Sequence, residues 1–286
     1  MRTFVAETLL IATLAGTAVL AAVPAAPADI FPDKNLETAV RALIFDKKDP
    51  SKELTDDDLK KVFVLEAKGK GIRDLKGLEK CTNLHLINFA KNEISDLTPL
   101  KDLKLLQSLD LSHNKITDAE PLAGLVGLQF LELSDNQITK AEPLGKLTKL
   151  SALYMANNKV ADITPLGELT RLSSLDLAKN EVSDIKSVSK LAGLSTLKLS
   201  DNKIEDISPI PKKNNLKMLF LERNKVADLS PLVTAATEDA ASEKRFAPFL
   251  RLYVDGNPLS DAAKNQQLTA LKAAGVRLES AEPKKP

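Results

Sequence analysis

The 286-residue chain carries 40 basic and 39 acidic side chains, a net charge of +1, so no overall field draws it to nucleic acid or to an anionic membrane. One cysteine excludes an intramolecular disulfide. With no tryptophan and 4% aromatic residues, any aromatic side chain spent on the surface is a scarce resource.

In chain order, residues 1–28 place Arg2 ahead of an apolar stretch from Leu9 to Val23 and close on Ala26-Pro27-Ala28. That is the layout of a cleaved secretory signal, although Glu7 is atypical, and the stretch is short and Ala-rich beside the roughly 20 residues a spanning helix needs. Cleavage after Ala28 is expected; left uncleaved, the segment would be a membrane anchor. No cysteine follows to take a lipid. Residues 29–61 read as a helical N-terminal cap. Asp33 precedes a helix with Leu36, Val40, Leu43 and Ile44 on one face, and Thr55 with Asp58 forms a capping box ahead of Leu59 and Val62.

Residues 62–248 hold eight repeats opening at Val62, Leu84, Leu106, Leu128, Leu150, Leu172, Leu194 and Leu216, and a partial unit opens at Phe249. Successive starts are 22 residues apart except the last, which is 33. A fixed period of this length means that each unit buries its apolar side only by stacking on its neighbours. In LQSLDLSHNKITDAEPLAGLVG, Leu106, Leu109 and Leu111 alternate with Asp110 as in a short strand, and Ile116, Leu122 and Leu125 bring the chain back. One strand per unit builds a parallel sheet.

Counting from the opening residue, position nine is Asn92, Asn114, Asn136, Asn158, Asn180, Asn202 and Asn224, with Lys70 in the first unit. A turn leaving a strand buries N–H and C=O groups that only a short amide can serve from both sides, so an asparagine ladder is expected. Thr98-Pro99, Thr164-Pro165, Ser208-Pro209 and Ser230-Pro231 mark short helical turns on the convex side. Position thirteen is Asp74, Asp96, Asp118, Asp162, Asp184, Asp206 and Asp228, interrupted by Lys140; turn capping explains this column better than a calcium spine, which needs denser oxygen ligands. Cys81 stands where other units have leucine and reads as a small buried hydrophobe. The 11 extra residues fall in VTAATEDAASEKRFAPF, which reads as a longer convex helix, with a partner-binding excursion as the alternative. Residues 249–279 form the partial repeat and C-terminal cap, a helix from Ser260 through Leu268 and Leu271 to Gly275 and the strand-like Val276-Arg277-Leu278. Residues 280–286 are expected to be disordered.

The string LSALYMANNKVADITPLGEL, Leu150 to Leu169, resembles the 22-residue leucine-rich repeat of the bacterial internalin type, and Phe31 to Leu78 is similar to that family's helical cap and first repeat. The resemblance runs from Phe31 to about Ser280. It implies secretion, a curved right-handed solenoid of the α/β class with its parallel sheet on the concave face, and recognition of a protein there. A C-terminal wall-sorting motif and an immunoglobulin-like extension are lacking, so host-cell adhesion does not carry over. The expected location is outside the cell or in the periplasm and cell envelope, and the expected state is a monomer.

Positions three and five of each strand point out of the sheet, four and six into the core. Both tyrosines of the chain fall at position five. Two groups result: Phe130, Glu132 and Tyr154, and Met218, Phe220, Arg251 and Tyr253, with Asp176 and Lys198 between them and a shallow floor of Ser151, Ala152, Ser173, Ser174, Ser195 and Thr196. At about 4.8 Å per strand, Phe130 and Phe220 stand roughly 20 Å apart, within one standard protein interface. These nine residues are the candidate protein-binding site; cross-strand packing is the competing use of the rings. Asp110, Glu132 and Asp176 suggest a partner with a basic patch, and aromatics on a polar floor would also suit a glycan. Catalysis rests on one pair, Asp110 beside Glu132, about 5 Å apart at Cβ and near the spacing of retaining glycosidases. An open sheet offers no cleft to desolvate one of them, and His85 and His113 flank strands without metal-ligand spacing, so no catalytic residue, metal or cofactor is assigned.

Overall fold

A computed structural model describes residues 29–210, 215–242 and 244–280. The expected signal segment and all but the first residue of the expected tail lie outside them. Three-residue strands follow one another at the repeat spacing: β1 Val64–Glu66, β2 Leu86–Asn88, β3 Ser108–Asp110, β4 Phe130–Glu132, β5 Ala152–Tyr154, β6 Ser174–Asp176, β7 Thr196–Lys198, β8 Met218–Phe220, β9 Arg251–Tyr253 and β10 Arg277–Glu279. They form one parallel sheet in sequence order. Position three pairs with position three along its length, Ser108 with Phe130 and Ala152 in turn, so each column of the repeat becomes a physical row. Return segments are 3-10 turns such as Thr98–Leu100, Glu120–Leu122 and Thr164–Glu168, with proline near the start.

Between sheet and turns the repeat leucines merge into one continuous core, with Leu131, Leu133, Leu144, Leu147 and Leu150 wholly buried in the middle units. Side by side in this core runs the asparagine ladder. Asn158 Oδ1 accepts the Ile138 N–H at 3.0 Å, and its Nδ2 donates to the carbonyls of Leu133 at 3.0 Å and Met155 at 3.1 Å, tying one unit to the preceding one. The pattern recurs from Asn92 to Asn224. Asn257 continues it in the partial unit by accepting from Val226 N–H. The Lys70 N–H donates to Asn92, so the first unit is served from the second. Just before each amide, position eight is left-handed, glycine in the end units at Gly69 and Gly256 and a side-chain residue such as Asp135 or Asn157 between them.

The N-terminal helices are α1 (Lys34–Leu43) and α2 (Asp56–Leu59). Asp33 caps α1 through Oδ1, accepting from Asn35 and Leu36 N–H, while its Oδ2 accepts from Arg73 and Asp74 N–H at 2.7 and 3.1 Å. One carboxylate thus starts the helix and ties it to the first repeat; those four N–H bonds outweigh its burial and hold its pKa below the ordinary value. The Thr55–Asp58 capping box is formed, and the Thr55 hydroxyl and Lys61 ammonium hold the Asp58 carboxyl far below the usual range. Leu43 departs from expectation: it is 50% exposed, because the helix ends there and Ile44, already extended, turns into the core.

Helix α3 (Ser230–Ala240) takes up the first half of the inserted stretch and packs on the later C-terminal turns. Asp239 receives Arg245, Phe246 and Ala247 N–H and so closes the helix onto the next segment. Phe249 does not open the last unit from inside. It is 59% exposed while Phe246 and Leu250 are buried, because the 3-10 turn Ala247–Phe249 around Pro248 brings the chain to β9 from another direction. At the end, Ser260 Oγ accepts Ala263 N–H, a π-turn Ala263–Gln267 leads into α4 (Leu268–Ala273), and β10 follows. Ser280, placed in the expected disordered tail, donates its hydroxyl to Asp255.

Candidate binding face

Along the sheet face away from the core, every position-five side chain from Asn88 to Tyr253 lies in register with its neighbours. Phe130 and Tyr154 form a tilted pair with ring centroids 5.7 Å apart, and Phe220 and Tyr253 stack at 4.2 Å and 9°. All four rings are half-buried. Lys198 Nζ lies 5.8 Å from the Phe220 centroid, within reach of the ring's negative face. Met218 is half-buried beside Arg251, which is exposed. Between the groups, Ala152, Ser174 and Thr196 leave a shallow floor, and the Ser151 and Ser173 hydroxyls donate to the carbonyls of Gln129 and Ser151.

Asp176 is the exception among the nine. At 8% exposure its carboxylate folds back to accept the Ala178 N–H and pairs with Lys198 at 3.0 Å. It therefore holds Lys198 upright and offers a partner little surface of its own. The same backward bond recurs along the column and escaped the sequence reading: Asn88 accepts from Ala90 N–H, Asp110 from Ser112, and Glu132 from Ser134 at 2.8 Å. At Asn88, Asp110, Glu132 and Asp176 position five thus caps the turn leaving its own strand, a use that the rings and Lys198 cannot serve. The signal was in the sequence as the run of Asn, Asp and Glu at this position, residues that satisfy nearby backbone donors.

Glu132 stands between the Phe130–Tyr154 pair and Asp110. Burial pushes its pKa above the ordinary 4.5, and the charges of Asp110 and Asp176 push the same way. A carboxyl whose folded pKa exceeds its unfolded one contributes stability that is complete below the unfolded value and is lost as pH rises through the folded value. Ionised Glu132 is thus a cost at neutral pH. Glu132→Gln keeps the acceptor for Ser134 N–H and is expected to raise the melting temperature at pH 7 and not at pH 4. Thermal melts at the two pH values check this, and equal shifts at both would refute it.

The Asp110–Glu132 pair is in direct register, yet each carboxylate is engaged by its own strand exit, Asp110 by the Ser112 N–H and hydroxyl as well. Position thirteen caps turns throughout: Asp96, Asp118, Asp162, Asp184, Asp206 and Asp228 each accept the N–H two residues on. Among the described residues no three His, Cys, Asp or Glu side chains converge as a metal site. His85 Nδ1 donates to the Asn83 carbonyl beside Phe63, and exposed His113 lies 3.4 Å from Asp135 on the rim. Cys81 is wholly buried, and burial pushes its thiol up to about 12, so it packs as a hydrophobe.

Compared with known proteins, residues 82–124, 104–146, 126–168, 170–212 and 193–234 match the family model described as leucine-rich repeats in two copies. Internalin C2 from Listeria monocytogenes str. 4b F2365 is similar at 28% identity over 88% of this chain and 95% of that one, with a TM-score of 0.65. An internalin, InlF, from the same strain shares 21% identity over 90% of this chain and 97% of its own at a TM-score of 0.50, a likeness of fold alone. The ectodomain of the Arabidopsis thaliana receptor kinase GASSHO1/SCHENGEN3 shares the fold at 22% identity, over 71% of this chain and 27% of that one, with a TM-score of 0.58; its structure is a complex with CASPARIAN STRIP INTEGRITY FACTOR 2. No curated protein sequence matches the chain.

Proposed function

The chain belongs to the leucine-rich repeat family, and from that premise we propose that it is a non-catalytic exported binding protein that holds a protein partner on its concave sheet. One observation carries the reading: in a chain with two tyrosines, each is set beside a phenylalanine on this face, one pair in strands β4 and β5, the other in β8 and β9. Half-buried aromatic pairs separated by a shallow polar floor are the arrangement of two anchors within one interface, since binding energy concentrates in a few large rings while the ground between them excludes water. The partner would bring apolar groups to the two ring pairs and basic groups to Asp110 and Glu132. Secretion, or residence in the periplasm and cell envelope, belongs to the same reading and rests on the character of residues 1–28.

The test is capture from envelope extract by wild type and by the double variant Tyr154→Ala, Phe220→Ala. Truncating two anchors is expected to weaken capture by about a hundredfold or more at unchanged melting temperature. Equal capture by both proteins would sink the anchor reading. An envelope scaffold or glycan-binding role is the second reading, favoured by the stacked Phe220–Tyr253 rings, which offer the flat face a sugar ring needs. Glycan-array hits in the absence of a captured protein would put it first.

A further inference from the structure

At the first strand, α1 packs against β1. At the other end, α4 packs against β10, and among the described residues no strand lies beyond β10. The parity of the ladder says which groups that edge presents. Arg277 N–H donates to the Leu250 carbonyl, and in a parallel pair alternate residues address the same neighbour, so the backbones of Arg277 and Glu279 face β9. The N–H and C=O of Leu278 therefore face outward.

A second copy fits this edge in one way. If two β10 strands meet antiparallel about a twofold axis through Leu278, the two Leu278 residues become a hydrogen-bonded pair and exchange both N–H···O bonds. The residues on either side then fall opposite one another on the same sheet face: Arg277 meets Glu279 of the second copy, and Glu279 meets its Arg277. Edges guarded against association usually carry lysine, a single sign that repels a second copy. Here the order Arg-Leu-Glu is self-complementary. Arg277 is exposed and Glu279 half-exposed, and the contact of Glu279 to Arg251 is long, 3.8 Å, so both charges are open to a new partner.

We propose that two copies of the chain pair through the outer edge of β10, joining their sheets into one. A twofold axis closes the interface at the dimer. The pairing buries little area, so association is weak and concentration-dependent. This revises the expectation of a monomer and stands independently of what the concave face binds.

Sedimentation of the full chain from about 10 µM to about 1 mM tests it. A monomer–dimer equilibrium is expected. Arg277→Glu sets Glu against Glu, and Glu279→Arg sets Arg against Arg; each is expected to raise the dimer Kd about tenfold or more. An equimolar mixture of the two variants brings Glu opposite Arg at both contacts and is expected to dimerise as wild type does, which separates charge matching from misfolding. A wild type that stays monomeric throughout, variants that dimerise like wild type, a mixture that does not recover, or growth beyond the dimer would each overturn the proposal.

Discussion

Asn158→Ala is expected to lower unfolding stability by about 2–3 kcal/mol, because it leaves one buried N–H without an acceptor and takes one of two amide donors from each of two buried carbonyls, Leu133 keeping Asn136 and Met155 keeping Asn180. The groups are the Ile138 N–H and the Leu133 and Met155 carbonyls, held at 3.0, 3.0 and 3.1 Å. Two of them belong to the preceding unit, so the loss falls on the coupling between neighbours, the term that makes a stack of marginal repeats behave as one body. Asn158→Asp restores the acceptor but sets a charged oxygen against the two carbonyls, so it should cost at least as much. Urea unfolding checks both. A loss below about 1 kcal/mol for Asn158→Ala would mean that water replaces the amide and that the ladder is not what couples the units.

Gly77→Ala is expected to loosen the N-terminal cap, at a cost of about 2–4 kcal/mol from a left-handed backbone and a direct clash. Gly77 has φ +97°, and a Cβ there would lie 2.2 Å from the Ile30 carbonyl oxygen and 2.8 Å from Phe31 Cδ1. Backbone cannot give way as a flexible side chain can, so the segment carrying buried Phe31 must lift off. Because Asp33 ties that segment to Arg73 and Asp74, the loss should appear as early hydrogen exchange in residues 31–61 while the middle repeats stay protected. Exchange unchanged across the cap would contradict it.

The frame was legible because every residue that keeps the 22-residue period does so for an inward reason. Leucines fill the core, and asparagines satisfy groups that nothing else reaches. Pattern reading failed where a residue's direction and its availability part company. Alternation puts Asp176 on the outer face, and it is there, but the carboxylate bends back to its own backbone and to Lys198, which a period of two cannot register. Leu43 and Phe249 were misplaced because each stands where one element stops and the chain changes course, so the periodicity that predicts burial has ended. The double role of Asp33 was half legible: its helix cap is local, whereas its bonds to Arg73 and Asp74 cross 40 and 41 residues. The aromatic pairs were readable as positions, and their ring geometry only from the fold.

The concave face as the place of recognition is tested most directly by site-specific photo-crosslinking in envelope extract, with benzoylphenylalanine in place of Tyr154 on the sheet or of Glu168 on the turn Thr164–Glu168 at the back. A protein adduct is expected from position 154 and none from position 168. An adduct from position 168 alone would move the binding site to the convex side and contradict the account.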